Sequence, residues 1–164
     1  MFLELAPIAV GLGEIKISTD SESVLVAYGL GSCLGIGMYD SAAKIGGMLH
    51  AVLPQRTNGD MRLTKYVDTG VPEMVKRMLA AGARREHLIV RVAGGANMLL
   101  NVAFVKTLNI GERNVAAAHE VFTRAGLNVV GQEVGGNTGR TVRLYVADGR
   151  MTVRMMSGRE REVQ

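Results

Sequence analysis

The amino-acid sequence predicts an α+β layered domain, and three observations carry that prediction. Short β-branched or small-residue runs parted by turn residues fill residues 24 to 53, two stretches with helical periodicity occupy the middle, and three more short runs follow toward the end. Most of the sheet is therefore expected at the two ends of the chain and the helices between them.

Taken in order, Val24 to Leu30, Leu34 to Tyr39 and Ile45 to Leu53 read as consecutive strands, joined by turns at Gly31–Cys33 and Asp40–Lys44. From about Lys65 to Ala81 the apolar residues Tyr66, Met74, Met78 and Leu79 recur at near-helical spacing, and Gly82 marks the stop. Pro72 lies inside this stretch, so the helix is expected to start near it or to kink there. Leu88 to Val92 reads as a buried strand ending at Gly94–Gly95. Glu112 to Ala125 places Val115, Ala118, Phe122 and Ala125 on one face, opens on an acidic residue and ends before Gly126, as an amphipathic helix does. Leu127 to Val134, Val142 to Val146 and Met151 to Met155 read as three more strands, the last two joined by a hairpin turn at Ala147–Asp148–Gly149. Residues from about 157 read as a flexible tail, and residues 1–164 as a single domain.

Composition narrows the function classes. At 164 residues, 48% hydrophobic and 21% charged, the chain has the balance of a folded globular domain. A single cysteine precludes an intrachain disulfide and suits a reducing compartment, so the cytoplasm is expected. Glu4 interrupts the apolar N-terminal stretch, which lacks a basic flank, so no signal peptide is expected. No run of uncharged apolar residues is long enough for a membrane helix. The net charge of +4 raises the question of nucleic acid, but the basic residues are scattered and aromatics make up only 4%. The reading is therefore no nucleic acid. An acidic protein partner is the alternative use of a basic surface. The three histidines, His50, His87 and His119, have no zinc spacing, so no metal is expected. Gly94–Asn97 and Gly135–Arg140 match no phosphate-binding fingerprint and read as turns shaping a cleft around Cys33, with Arg140 or Arg113 as structural or substrate-side charges.

The remaining chemistry centres on Cys33, in Gly29-Leu30-Gly31-Ser32-Cys33-Leu34-Gly35, where small neighbours let a substrate approach the backbone. His50 lies in the next predicted strand, so antiparallel pairing would bring imidazole beside sulfur. A nearby imidazolium would favour the thiolate nucleophile and later supply a proton to the leaving group. The Cys33 N–H, with Gly31 and Ser32 in support, would stabilise the oxyanion of acyl transfer. On these residues alone, a small buried cysteine and a satisfied core histidine are the commoner description of such a pair, since a lone cysteine and histidine make no transferable motif.

Several short motifs in one order resolve that ambiguity. Gly11-Leu12-Gly13-Glu14, Leu30-Gly31-Ser32-Cys33 and His50-Ala51-Val52-Leu53-Pro54 are followed by Lys65-Tyr66-Val67-Asp68, Gly94-Gly95-Ala96-Asn97-Met98, Ile110-Gly111-Glu112-Arg113-Asn114 and Gly135-Gly136-Asn137-Thr138-Gly139-Arg140. Across nearly its whole length the sequence resembles the CheD family of chemoreceptor glutamine deamidases. The resemblance implies a layered α/β/β sandwich of mixed sheets with flanking helices, similar to the cysteine hydrolase fold of deamidating toxins. It implies hydrolysis of glutamine side chains on the cytoplasmic helices of chemoreceptors, giving glutamate and ammonia through a Cys33 thioester with His50 as base and no cofactor. It also implies a CheC-type phosphatase as a partner. The family pattern places a threonine that orients the histidine at the position of Ala27, and Tyr28 should face the other side of a regular strand. That departure keeps open a second expectation, a non-catalytic or weakly catalytic chemotaxis adaptor binding receptors and the phosphatase.

Overall fold

The structure, a computed structural model, describes residues 6–98, 109–156 and 158–164. Among the described residues, ten strands and two α-helices follow in the order β1 (Ile8–Ala9), β2 (Ile15–Ser18), β3 (Val24–Leu30), β4 (Leu34–Asp40), β5 (Ile45–Ala51), α1 (Val67–Ala80), β6 (Leu88–Gly94), α2 (Ile110–Ala125), β7 (Asn128–Val134), β8 (Arg140–Tyr145), β9 (Met151–Met155) and β10 (Arg161–Glu162). They form two mixed five-stranded sheets, one ordered β2-β5-β4-β6-β7 and the other β1-β3-β8-β9-β10. The parallel pairs are β6 with β7 and β1 with β3.

Two apolar cores separate three layers. One packs α1 and α2, through Val71, Met74, Met78, Ala118 and Phe122, onto Leu34, Ile36, Leu49 and Val90 of the first sheet. The other lies between the sheets and gathers Leu25, Ala27, Met48, Ala93, Val142, Leu144 and Val153. The sheet holding β4 and β5 is thus covered on both faces, and every residue of these two strands is buried. That is why they read as unbroken apolar runs, whereas β8, open on one face, alternates buried and half-buried positions.

Several boundaries differ from expectation for local reasons. The first helix begins at Val67, five residues before Pro72, and runs through it. Pro72 is exposed, so solvent can satisfy the carbonyl four residues back that loses its amide donor. The second helix begins at Ile110, because the Asn109 side chain accepts from the Glu112 N–H at 3.1 Å and caps it. Gly126, at φ 65°, ends it as expected. The Ala147–Gly149 turn joins β8 to β9 as predicted, with the Asp148 carboxylate accepting from the Arg150 N–H at 2.9 Å.

Where a flexible tail is expected, residues 158–164 lie along the sheet. Arg161 and Glu162 pair with Val153 and Thr152. Val163 is buried, and its N–H donates to the Met151 carbonyl at 2.8 Å. Burial of one valine is worth about 1.5 kcal/mol or more, and it adds to the main-chain pairing with β9. A two-residue strand gives no period to read, which is why β1 and β10 escape sequence patterning.

Candidate active site

Antiparallel pairing of β4 with β5 sets Gly35 opposite His50 and Leu34 opposite Ala51. Cys33 immediately precedes β4, two residues before Gly35, so it lies on the same face as His50 and diagonal to it. That face points into the core between the sheets, against which Cys33 packs. Cys33 is partly buried and His50 is 4% exposed, so the cysteine is the more accessible of the two residues.

The tautomer of His50 follows from its partner. Nδ1 lies 3.0 Å from the main-chain carbonyl oxygen of Val10, which can only accept, so Nδ1 carries the proton and donates. Nε2 is then the unprotonated nitrogen of a neutral ring, and it is buried with no partner among the described residues. An unprotonated nitrogen left open on the face that also carries a thiol has the free lone pair a general base needs.

The Gly11-Leu12-Gly13-Glu14 motif holds this histidine. The Val10 N–H donates to the Val26 carbonyl of β3 at 2.8 Å, which docks the segment whose carbonyl takes Nδ1–H. The His50 N–H donates to the Glu14 carbonyl at 3.0 Å, and the Gly13 N–H to the His50 carbonyl at 2.8 Å. The Glu14 carboxylate folds back onto the Gly11 N–H at 2.9 Å and closes the turn.

Burial sets the resting charges. It pushes the Cys33 thiol above its ordinary 9.0, outweighing the residue's own N–H, which lies toward the sulfur. It also pushes His50 below 6.5, outweighing the Val10 carbonyl and the Glu14 charge. At neutral pH the resting pair is thus a neutral thiol and a neutral imidazole, and not the thiolate–imidazolium pair expected from sequence.

The turn before β4 is held carbonyl by carbonyl. The Gly31 carbonyl accepts from the Ala96 N–H and the Cys33 carbonyl from the Gly95 N–H, both at 2.9 Å. The Ser32 carbonyl accepts from Nδ2 of Asn114 at 2.9 Å. A Cβ at Gly94, where φ is 114°, would run into the Cys33 carbonyl oxygen, and one at Gly111 into the Ala96 carbonyl. The Gly94–Ala96 motif is therefore a backbone clasp on the cysteine turn, with the start of α2 pressed against it.

Of the other residues singled out from sequence, Ala27 is fully buried between the sheets and Tyr28 is 52% exposed, facing away as expected. Arg140 is structural: its guanidinium, almost wholly buried, donates to the carbonyls of Glu133, Gly135 and Thr138 and folds the 135–139 loop. Arg113 is exposed. His87 and His119 have separate neighbours, Asp40 and Gln132. Two site residues were not assigned from sequence. Val10 acts through a main-chain carbonyl that any residue would supply. Asn114 stood only inside a motif, although a polar residue on the buried side of an amphipathic helix is itself a signal.

Fold and site together define a class: a two-sheet α+β protein with a thiol–imidazole pair at one end of a buried hairpin. Comparison with known proteins places it further. The family model described as CheD chemotactic sensory transduction matches residues 52–155. A protein of Symbiobacterium thermophilum named probable chemoreceptor glutamine deamidase CheD is 42% identical over 158 residues, spanning 94% of this chain and 96% of its own. Proteins of the same name from Caldanaerobacter subterraneus and Archaeoglobus fulgidus are 39% and 38% identical, each across 93% of this chain. The chain belongs to the CheD family.

Proposed function

We propose that this protein hydrolyses glutamine side chains on the cytoplasmic helices of chemoreceptors, with Cys33 as nucleophile and His50 as base. The observation that carries the reading is the open Nε2 of His50 on the face it shares with a half-buried thiol. The names of the relatives supply the substrate class. Nε2 takes the thiol proton as sulfur attacks the amide carbon, and the oxyanion is met by the Cys33 N–H. The imidazolium returns that proton to the departing nitrogen, ammonia leaves and a thioester remains. Water, deprotonated by His50, then displaces sulfur and releases glutamate, and the imidazolium returns that proton to the departing Cys33 thiolate. Starting from a neutral pair costs nothing in proton count, since the proton removed in the first step is the one delivered to ammonia.

The reading comprises a cytoplasmic enzyme without a cofactor, with receptor helices as substrate and a CheC-type phosphatase as its proposed partner. The adaptor alternative drew its support from Ala27. The Val10 carbonyl offers the orientation that a threonine there would give, which leaves that alternative without a distinguishing observation. Ammonia release and a mass gain of about 1 Da per glutamine on a receptor cytoplasmic fragment test the proposal. Both signals should vanish in Cys33→Ala, and free glutamine should turn over far more slowly than the fragment, because remote contacts help drive the transition state. Equal signals from parent and Cys33→Ala would overturn it.

A further inference from the structure

Asn114 is fully buried, and its Nδ2 donates both to the Ser32 carbonyl at 2.9 Å and to the Val52 carbonyl at 3.0 Å. Its Oδ1 is buried and unpartnered among the described residues. An unanswered buried amide oxygen costs about 1–3 kcal/mol, so the two donated bonds are what this side chain contributes. They join the residue before Cys33 to the residue two beyond His50.

In a trans peptide the C=O and the following N–H point in opposite directions, and the described chain has no cis peptide bond. The Ser32 carbonyl and the Cys33 N–H belong to one such plane. Fixing the carbonyl toward α2 therefore fixes the Cys33 N–H toward the opposite side, the side of its own sulfur. The flanking planes are held by main-chain donors, Ala96 N–H on Gly31 and Gly95 N–H on Cys33. Of these three planes, among the described residues, only the one that carries the cysteine N–H is held by a side chain.

We infer that Asn114 is a positioning residue: by holding the Ser32 carbonyl it aims the Cys33 N–H at the oxyanion that forms when sulfur adds to a carbonyl. This rests on the cysteine-hydrolase reading but not on the receptor as substrate. A merely structural Asn114 would loosen both strand ends, and every reaction of the thiol would suffer alike.

Two reactions of Cys33 separate these roles. Acylation by p-nitrophenyl acetate passes through an oxyanion: sulfur bonds to the acetyl carbon, Nε2 of His50 takes the thiol proton and p-nitrophenolate leaves. Alkylation by iodoacetamide displaces iodide directly and forms no oxyanion. In Asn114→Ala, with both rates referred to folded protein by thermal melting, acylation should fall on the order of 100-fold. Alkylation should stay within about threefold of the parent. Asn114→Ser, which fits the space and keeps one donor, should fall between parent and Asn114→Ala, and it carries the test if the alanine variant does not fold. Equal losses in both reactions, or no loss in acylation, overturn the inference, as does a parent that alkylates at Cys33 but does not acylate. A parent that acylates normally yet leaves receptor glutamines intact would sink the substrate assignment alone.

Discussion

The β4–β5 hairpin buries polar groups at both ends, and the two ends are built on opposite terms. At the turn end, Asp40 is fully buried, but its carboxylate accepts from the N–H groups of Ala42, Ala43 and Arg84 at 2.9–3.0 Å. Burial pushes that carboxyl up, yet the three N–H donors and nearby His87 outweigh it and hold it below 3.8. At the open end, His50 is nearly as buried, but one ring nitrogen is answered and the other is not. A buried polar group whose bonds are all made within the chain serves the fold. One left open at a half-exposed thiol is poised for something that arrives from outside.

The largest effect should separate the two ends cleanly. Cys33→Ala should lower receptor deamidation by about 10⁴-fold or more while shifting the melting temperature by no more than about 3 °C. His50→Gln should be comparably inactive, since nothing else described there can take the thiol proton. Residual turnover above about a hundredth of the parent in either variant would place the chemistry elsewhere.

Asp40→Ala should do the reverse. Three N–H groups would lose their acceptor, and stability should fall by about 3 kcal/mol, read from urea unfolding, with deamidation per folded molecule unchanged. A loss of activity at full stability would mean the two ends are coupled along the hairpin.

Acid should dissect the same pair more gently. Both groups have folded-state values below their unfolded ones, so in each window the unfolded chain binds more protons and stability drops as pH falls. The His50 contribution is intact above 6.5 and is lost as pH falls from there through its depressed value. The Asp40 contribution is intact above 3.8 and is lost only below it. Each proton sets a slope of at most about 1.4 kcal/mol per pH unit. His50→Gln should erase the first stage and leave the second. An unchanged first stage in that variant would remove His50 as its source.

Much of this was legible in the sequence because local rules and tertiary packing agree there. Strands β3 to β9 carry apolar runs long enough to read, and Gly126 and Asp148–Gly149 carry the chemistry of a cap and a turn. Cys33 and His50 were legible because thiol and imidazole are side-chain types with chemistry of their own. Val10 was not, because it works through a carbonyl, and a carbonyl leaves no trace in residue type. The neutral charge state was equally hidden, since it comes from the second sheet closing over the site.

The smallest effect concerns Ala27, where the family pattern places a threonine. Because the Val10 carbonyl already takes Nδ1–H, Ala27→Thr should change the deamidation rate by less than about twofold. It should also cost about 1–3 kcal/mol, for a hydroxyl placed at a position with no exposure. A severalfold gain would show that the Val10 bond orients His50 poorly.

The central claim is that His50 rests as a neutral ring with its proton on Nδ1 and Nε2 open toward the thiol's face. Long-range ¹H–¹⁵N correlation spectra of the histidine rings, recorded across acidic and neutral pH, report this directly. The account predicts a protonated Nδ1 and an unprotonated Nε2 for His50 at neutral pH, with a titration midpoint below 6.5. A proton on Nε2, or a midpoint above 6.5 indicating a resting imidazolium, would contradict it.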